Sequence, residues 1–407
     1  MPRILILGAG FAGLWAAVGA ARRLSESAQS GKKIEILVVN NRPFHSVRVR
    51  NYEQDLDPTR VPLAEVLDPI GVKWMEGVVL GIDTRLRKVP VQTRGGTELI
   101  DYTRLVVALG SKLVHPDIPG LAEHSFDVDT IEGAEKLQRH LLALPSSKHD
   151  RGRYVAVVIG AGLTGVEIAS ELPARLAGIA GSAQNVRVLL VDRSVKIAQA
   201  MGQAQPVIEQ AMGALKVELK PGTSIKNLTD TAVELSDGEI IETPTVVWCG
   251  GMRANSLTEQ FPVARDELGR LPVDACLRVQ GLPDIFATGD CARILIDGTR
   301  PSVMSCQHGR PMGRYAGHNV VADLLGQALL PLHVDWYTTI VDLGPWGAVY
   351  TEGWDRKLIT QGAQAKRTKR LINGQRIYPP RTGRREDILQ AGAPIVQAPP
   401  PDNLPGC

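Results

Sequence analysis

The chain has 407 residues, 44% of them hydrophobic, and its 46 basic and 43 acidic residues leave a formal net charge of +3. This length suits two or three domains, and the near-balance of charge excludes the strongly basic surface expected of a nucleic-acid-binding protein. No apolar run reaches the ~20 residues of a membrane-spanning helix, and a first strand starting near residue 4 leaves no room for a signal peptide. We therefore expect a cytoplasmic protein.

The first predicted elements are an apolar strand, a glycine-rich turn and a helix. The strand covers residues 4–7 and the helix 14–24, and between them the glycines follow the spacing Gly-x-Gly-x-x-Gly: Gly8, Gly10 and Gly13. A second strand at 34–39 ends beside Asn40. Such glycines allow a tight turn and a close approach of the backbone to a pyrophosphate at the positive N-terminus of the helix.

The same scheme appears a second time in the chain. A strand at 155–159 enters the turn formed by Gly160, Gly162 and Gly165, and a helix to about residue 176 leads to a strand at 186–191 and to Asp192. In both units the residue that ends the second strand lies 32 residues after the first glycine (8 to 40 and 160 to 192). One such motif is a weak signal, but two in matched contexts predict two dinucleotide sites on one chain.

The residues that end the second strands bear on which dinucleotide binds. A carboxylate such as Asp192 accepts hydrogen bonds from ribose hydroxyls and would repel a 2′-phosphate, so the second unit favours NADH over NADPH. Arg193 beside it opposes that preference. At the first unit the Asn40 amide can bond a ribose hydroxyl, or Asn40 and Asn41 can simply form a turn.

The remaining elements complete an α/β fold with two Rossmann-like dinucleotide-binding domains, one of them split, and a small C-terminal α+β region. These elements are strands at 100–110, 245–251 and 284–291 that each enter a glycine turn, a helix at 301–325, and strands at 336–342 and 347–351. The predicted domains are 1–112 plus 270–325, an inserted domain at 113–265, a C-terminal acceptor-site or interface region at 330–390, and a proline-rich, disordered tail at 394–407.

Three motifs resemble the two-dinucleotide flavoproteins of the pyridine nucleotide-disulfide oxidoreductase superfamily and, among them, the type II NADH dehydrogenases. They are VIGAGLTGVEIASEL at 158–172, TVVWCGGMRAN at 245–255 and DIFATGDCA at 284–292. The resemblance implies that the first domain binds FAD through Gly8, Gly10, Gly13, Asn40, Ala108, Gly110, Gly289 and Asp290. It implies that the second domain binds NADH through Gly160, Gly162, Gly165, Asp192 and Gly250.

The resemblance and the local sequence also indicate four candidate catalytic residues. Glu167 matches a family glutamate near the nicotinamide and flavin rings, although a carboxylate in the first helical turn is also favoured by the helix dipole alone. Gln307 matches the second of two glutamines in the family's quinone pocket, whereas Val303 replaces the first. His308 begins a helix whose dipole favours reduced flavin, and His45 is a candidate proton shuttle or an exposed loop histidine.

The cysteines and the C-terminal basic residues bear on the electron acceptor. The five cysteines lack metal-binding or redox spacing and are absent before residue 249, so neither a metal site nor a thiol relay is expected. Eight C-terminal basic residues suit a solvated face, or docking on anionic lipid or an acidic partner: Lys366, Arg367, Lys369, Arg370, Arg376, Arg381, Arg384 and Arg385. Peripheral contact with the inner face of a membrane and a homodimer both stay open.

These observations predict an FAD-dependent NAD(P)H dehydrogenase. NADH would pass a hydride to FAD, and two electrons would then reach a quinone or a quinone-like acceptor. Three alternatives stay open: a flavin-dependent oxidase or monooxygenase that uses O₂, an NADH:redox-protein reductase, and an NADH-sensing flavoprotein without turnover.

Overall fold

The computed structural model describes residues 1–27, 33–147 and 150–400. The elements up to residue 113 are β1 (Arg3–Leu7), α1 (Phe11–Glu26), β2 (Glu35–Asn40), β3 (Phe44–Ser46), β4 (Arg60–Pro62), α2 (Leu63–Leu67), β5 (Lys73–Glu76), β6 (Val78–Val79), β7 (Lys88–Thr93), β8 (Gly96–Asp101), β9 (Arg104–Val107) and β10 (Ser111–Leu113). Those up to residue 248 are α3 (Leu121–His124), β11 (Ser125–Phe126), α4 (Ile131–Ala143), β12 (Val155–Ile159), α5 (Leu163–Ala180), β13 (Arg187–Asp192), α6 (Gln205–Ala214), β14 (Val217–Pro221), β15 (Ile225–Leu228), β16 (Ala232–Leu235), β17 (Ile240–Glu242) and β18 (Thr245–Trp248). The last are β19 (Met252–Ala254), β20 (Leu271–Pro272), β21 (Ile285–Ala287), β22 (Ala292–Arg293), α7 (Cys306–Leu324), β23 (Thr338–Asp342), β24 (Ala348–Glu352), β25 (Lys357–Gln361), α8 (Gly362–Leu371) and α9 (Arg385–Ala391).

Two five-stranded parallel sheets organise these elements. The first has the order β21-β9-β1-β2-β5 and the second β11-β18-β12-β13-β14. The central strands β1 and β12 are buried almost throughout, which explains their unbroken apolar sequence, since helices cover both faces of such sheets. The predicted α/β fold with Rossmann-like units is confirmed.

The two sheets follow one plan with one difference in connectivity. In each, the strand that precedes the glycine turn lies between the second strand and a closing strand, β9 or β18. The outer strand β21 comes from more than 170 residues further along the chain than β9 and pairs with it in parallel. Residues 285–287 therefore return to the sheet that begins with Arg3.

Helix α7 packs against α1 at unusually short range because of its glycines. A Cβ at Gly313 would lie 2.3 Å from the Ala12 carbonyl oxygen, and one at Gly317 would lie 2.1 Å from the Ala16 oxygen. The spacing of four residues places both glycines on one face of α7. This contact brings the N-terminus of α7 to the first glycine turn.

Three predicted helix boundaries were wrong. The first helix begins at Phe11 rather than residue 14, because the third glycine of the motif lies inside the helix. The helix predicted at 301–325 begins at Cys306, after Ser305 caps it by accepting from the His308 N–H, and α5 continues past residue 176 to Ala180. In the described part of the chain, no helix has the length and apolar character needed to cross a membrane.

The C-terminal region forms a small sheet with a helix beside it. Strands β23, β24 and β25 are antiparallel, and α8 packs on them. Strand β23 also contacts α5, so this region covers the helix that follows the second glycine turn. Of the tail predicted to be disordered, residues 401–407 lie outside the described residues, and Gln397 accepts a hydrogen bond from Arg310.

Candidate functional site: two glycine turns and a buried ion pair

The first glycine turn is shaped by contacts that exclude side chains. Gly8 has a φ of +97°, and a Cβ there would lie 2.5 Å from the Ala108 carbonyl oxygen. A Cβ at Gly13 would lie 1.9 Å from the Gly8 oxygen, whereas one at Gly10 meets nothing within 4 Å. Helix α1 starts at this open position without a side-chain cap from any described residue. Its first N–H groups are therefore available to an anion.

The second turn repeats this geometry. Gly160 has a φ of +102°, and a Cβ there would lie 3.1 Å from the Cys249 carbonyl oxygen. A Cβ at Gly165 would lie 1.7 Å from the Gly160 oxygen, whereas Gly162 again faces open space. At Gly250 a Cβ would lie 2.6 Å from the Trp248 ring. Both turns thus offer an open backbone concavity at a helix N-terminus.

Asn40 and Asp192 play equivalent structural roles at the ends of β2 and β13. The Ala9 N–H donates to Asn40 Oδ1 (2.9 Å), and the Ala161 N–H donates to Asp192 Oδ2 (2.6 Å). Asp192 also accepts from the Ser194 N–H (2.7 Å). Each side chain therefore holds its own glycine turn and retains lone pairs for a ribose hydroxyl.

The first turn is bordered by polar and glycine residues from distant parts of the chain. Gly289 has a φ of +73°, and a Cβ there would lie 2.6 Å from the Ala12 Cβ. The Asp290 carboxylate accepts from Ser111 Oγ (2.6 Å) and lies 3.9 Å from Arg48 Nη1. Burial raises the pKa of Asp290. Gly110, with a φ of +68°, carries the chain from β9 towards Ser111 and faces open space.

His45 is fully buried rather than an exposed loop residue. Its Nδ1 lies 2.9 Å from the Ala9 carbonyl oxygen, so the ring donates there as a neutral imidazole. Burial lowers the pKa of His45 to about 4. Nε2 has no partner among the described residues. The ring thus braces the first glycine turn on the side opposite to the Asn40 bond.

Gln307 and His308 begin α7 and are both engaged by neighbouring backbone. In the orientation that satisfies both partners, the Gln307 amide donates to the Thr338 oxygen (2.8 Å) and accepts from the Thr338 N–H (3.2 Å). His308 Nδ1 accepts from the Val303 N–H (2.9 Å), which leaves Nε2–H as a buried donor without a described partner. Burial lowers the pKa of His308 to about 4. Its ring lies 5.9 Å from that of Tyr337.

Glu167 forms a buried ion pair that the sequence did not indicate. Its Oε1 lies 2.6 Å from Lys369 Nζ and accepts from the Asp342 N–H (3.1 Å). Burial raises the pKa of Glu167, and Lys369 opposes that rise. The expectation of a carboxylate in the first helical turn was wrong: α5 starts at Leu163, so Glu167 lies in the second turn and its partner is a side chain rather than the helix dipole.

The ion pair belongs to a larger buried network. Lys366 Nζ pairs with Asp342, and the Tyr52 hydroxyl donates to the same carboxylate (3.2 Å). Lys366 and Lys369 therefore do not form the solvated face predicted for the basic cluster, because α8 turns them onto carboxylates of α5 and β23. The sequence did contain one signal of this arrangement: Lys366 and Lys369 are three residues apart, which places both on one face of a helix.

The described cysteines carry no sign of thiol chemistry. Cys249, Cys276, Cys291 and Cys306 are all unpaired. Burial raises the pKa of Cys249 to about 12 and that of Cys291 to about 11, which disfavours the reactive thiolate at neutral pH.

The residues around both turns fit bound dinucleotides. Gly10 and Gly162 each leave open the space that a Cβ would fill, directly at a helix N-terminus, which suits a pyrophosphate. Two such turns, each on its own five-stranded parallel sheet, define the two-dinucleotide class of pyridine-nucleotide oxidoreductases.

Comparison with known proteins agrees with this class. The family model of the pyridine nucleotide-disulphide oxidoreductases matches residues 2–313, so the chain belongs to that family and is an NAD(P)H oxidoreductase of the type II NADH dehydrogenase-like kind. It is 52% identical to the NADH dehydrogenase-like protein Rv1812c of Mycobacterium tuberculosis, over 98% of this chain and 100% of that protein. It is 28% identical to the type II NADH:quinone oxidoreductase of Staphylococcus saprophyticus, over 92% and 95%.

Among solved structures, the chain is similar to NDH2 from Plasmodium falciparum in complex with NADH. The TM-score is 0.79 at 12% sequence identity, covering 96% of this chain and 97% of that one. At this identity the likeness supports the fold alone. The resemblance inferred from the sequence motifs is confirmed by the family match.

Proposed function

We propose that this protein is an FAD-dependent NADH dehydrogenase that delivers two electrons to a quinone or quinone-like acceptor. The observation that carries the proposal is the pair of equivalent glycine turns, each with an open helix N-terminus and a strand-end side chain holding it. The 28% identical staphylococcal enzyme is named as an NADH:quinone oxidoreductase, which supports NADH as the donor and a quinone as the acceptor.

The two turns differ in ways that assign one dinucleotide to each. The first turn is bordered by Gly289, Asp290 and the N-terminus of α7, which suits FAD with its ribityl chain near the Asp290 carboxylate. The second ends on Asp192, whose negative charge favours a free ribose over a 2′-phosphate, which suits NADH. When bound, FAD would supply the hydride-accepting ring and release electrons to the acceptor. The predicted domains, 1–112 plus 270–325 for FAD and 113–265 for NADH, follow this assignment.

The candidate catalytic residues take different parts in this proposal. His45 positions the first glycine turn through Ala9, and as a neutral imidazole at pH 7 it has its single N–H proton engaged in that hydrogen bond. Glu167 holds its charge against Lys369 at the start of the NADH-side helix. Gln307 fixes α7 to β23 through Thr338.

The acceptor side is assigned to the aromatic cluster beside α7. The Tyr337 and Trp354 rings are stacked with centroids 4.6 Å apart, and His308 lies against both. Aromatic rings pair favourably with other flat rings in offset or edge-to-face geometry, which suits a ring-shaped acceptor beside this cluster. The region 330–390, predicted to shape the acceptor site, supplies both Tyr337 and Trp354.

Steady-state oxidation of NADH by the FAD-loaded protein tests the proposal. Under argon, menadione should support turnover; in air without quinone, turnover should be at least tenfold slower, and peroxide should be minor. Faster turnover with O₂ would instead indicate an oxidase. Fast turnover only with a redox protein, falling steeply with salt, would indicate a protein reductase. Tyr337→Leu should raise the KM for menadione while leaving anaerobic flavin reduction by NADH unchanged.

A further inference from the structure

We propose that the chain has a second ligand site, a pocket for a phosphate group, between α1, α7 and the segment that follows α8. A cavity of about 250 Å³ lies there. Its lining includes Trp15, Arg310, Arg314, Gln375, Arg376 and Tyr378. Its lining shares no residue with those described above at the two glycine turns.

Arg314 is the strongest evidence for an anion. Its side chain is only 2% exposed, and it has no hydrogen bond or ion pair with any described residue. The guanidinium carbon lies 4.2 Å from the centre of the Trp15 ring. Burial, and after it the neighbouring charge of Arg310, lower the pKa of Arg314 to about 9. A buried charge without a partner is costly, so natural proteins rarely retain one unless it binds something.

Arg310 and Arg376 add two more cations to the same cavity. Arg310 is 8% exposed, donates to Gln397 Oε1 (2.8 Å), and leaves Nε without a partner among the described residues. Arg376 donates to backbone carbonyls of Ala398 and Pro399. None of the described residues that line the cavity is acidic. Three arginine side chains therefore line the cavity with no carboxylate among the described lining residues.

The donors define the chemistry of the ligand. Arginine forks match the oxygen pairs of phosphate groups, and fixed forks bind them better than flexible lysines do. The Trp15 Nε1–H is a further buried donor without a described partner, and the Gln375 amide also lines the cavity. A doubly charged oxyanion satisfies these donors and balances the repulsion between the arginines. We therefore assign the pocket to a phosphate group, either free or carried by a lipid headgroup.

The test uses FAD-loaded protein and two phosphate sources. In chloride buffer of constant ionic strength, inorganic phosphate is titrated calorimetrically into the parent, Arg314→Met, Arg314→Lys and Arg370→Met. Arg370 is an exposed arginine of α8 and serves as the control. In parallel, vesicles of phosphatidylcholine with or without phosphatidic acid are tested for co-sedimentation with each protein.

Saturable binding of phosphate, or of vesicles only when they contain phosphatidic acid, is expected for the parent and for Arg370→Met. Arg314→Met should weaken that binding at least tenfold, and Arg314→Lys should weaken it several-fold, because the charge remains and the fork is lost. The arm that binds identifies the source of the phosphate. Binding in neither arm, or binding that Arg314→Met and Arg314→Lys leave unchanged, overturns the proposal. Both variants are compared by circular dichroism so that misfolding is not mistaken for lost binding.

Discussion

Lys369 Nζ lies 2.6 Å from Glu167 Oε1, and both side chains are more than nine-tenths buried. The two residues are separated by 202 positions in the chain, so the pair ties helix α8 of the C-terminal region to α5, the helix that follows the second glycine turn. Removing the charge of one partner leaves the charge of the other buried and unpaired, which lowers the stability of the folded protein.

Lys369→Met should therefore destabilise the protein by about 3–5 kcal/mol at pH 7, because Glu167 then carries an unpaired buried charge. The loss should shrink at lower pH, since burial already raises the pKa of Glu167 and protonation removes the charge. Urea unfolding at two pH values measures both effects. Adding Glu167→Gln to Lys369→Met should recover much of the loss. If the single and double variants were equally unstable, the ion pair would not be the cause.

The buried histidines predict a dependence of stability on pH. Burial lowers the pKa of His45 to about 4 from a usual 6.5, so the native state binds fewer protons than the unfolded state between these values. The contribution of neutral His45 to the free energy of unfolding is complete above about pH 6.5 and is lost as the pH falls towards 4. For one fully buried ring this loss amounts to about 3 kcal/mol.

The variant His45→Asn isolates this contribution from other titrating groups. An amide can still donate to the Ala9 carbonyl but does not titrate in this range. The unfolding free energy, measured from pH 7.5 to 5, should fall less steeply in the variant. Near pH 5 the difference in slope should correspond to the uptake of close to one fewer proton on unfolding. Identical slopes in parent and variant would show that His45 titrates normally in the folded protein.

The same substitution, glycine to alanine, should have opposite effects at a helical glycine in the α1–α7 contact and at one in α5 that faces open space. Gly313→Ala should destabilise the protein by about 1–3 kcal/mol, because its Cβ would lie 2.3 Å from the Ala12 oxygen and the helices would have to separate. Gly178→Ala in α5 meets nothing within 4 Å and should be stabilising by up to about 1 kcal/mol. Thermal unfolding of both variants checks the comparison, and a stabilising Gly313→Ala would refute the packing argument.

Much of this architecture could be predicted from the sequence because glycine turns and buried parallel strands are local signals. In each unit the β-branched strand, the glycine motif and the helix start lie within a few residues of one another, and the strand-end residue, Asn40 or Asp192, follows the first glycine at the same distance of 32 residues. Helix starts were less predictable, since Gly13 belongs to α1 although glycine usually lowers helix propensity.

The contacts between residues that are far apart in the sequence could not be predicted. Nothing near Glu167 in the sequence indicates Lys369, and a run of basic residues in a C-terminal segment more often faces solvent. The burial of His45 depends on the approach of Ala9 and Phe11, which only the packed sheet brings about. Likewise, the absence of an ion pair between Arg314 and any carboxylate of residues 1–27, 33–147 and 150–400 depends on how the helices assemble.

The choice of coenzyme should depend on Asp192. Asp192→Asn removes the charge that repels a 2′-phosphate while keeping an oxygen for the Ala161 N–H, and the exposed Arg193 beside it is then free to attract that phosphate. The ratio of kcat/KM for NADH to that for NADPH should fall at least tenfold. Arg193→Ala in the same background should restore part of the preference, and an unchanged ratio in Asp192→Asn would mean that the ribose binds elsewhere.

The most direct measurement of the central claim is an anaerobic titration of the FAD-loaded protein with NADH. We expect one equivalent of NADH to bleach the flavin absorbance of one protein chain, and added menadione to restore it. Failure of the purified protein to bind FAD, or a flavin that stays oxidised under excess NADH, would contradict the account of two dinucleotides exchanging electrons on one chain.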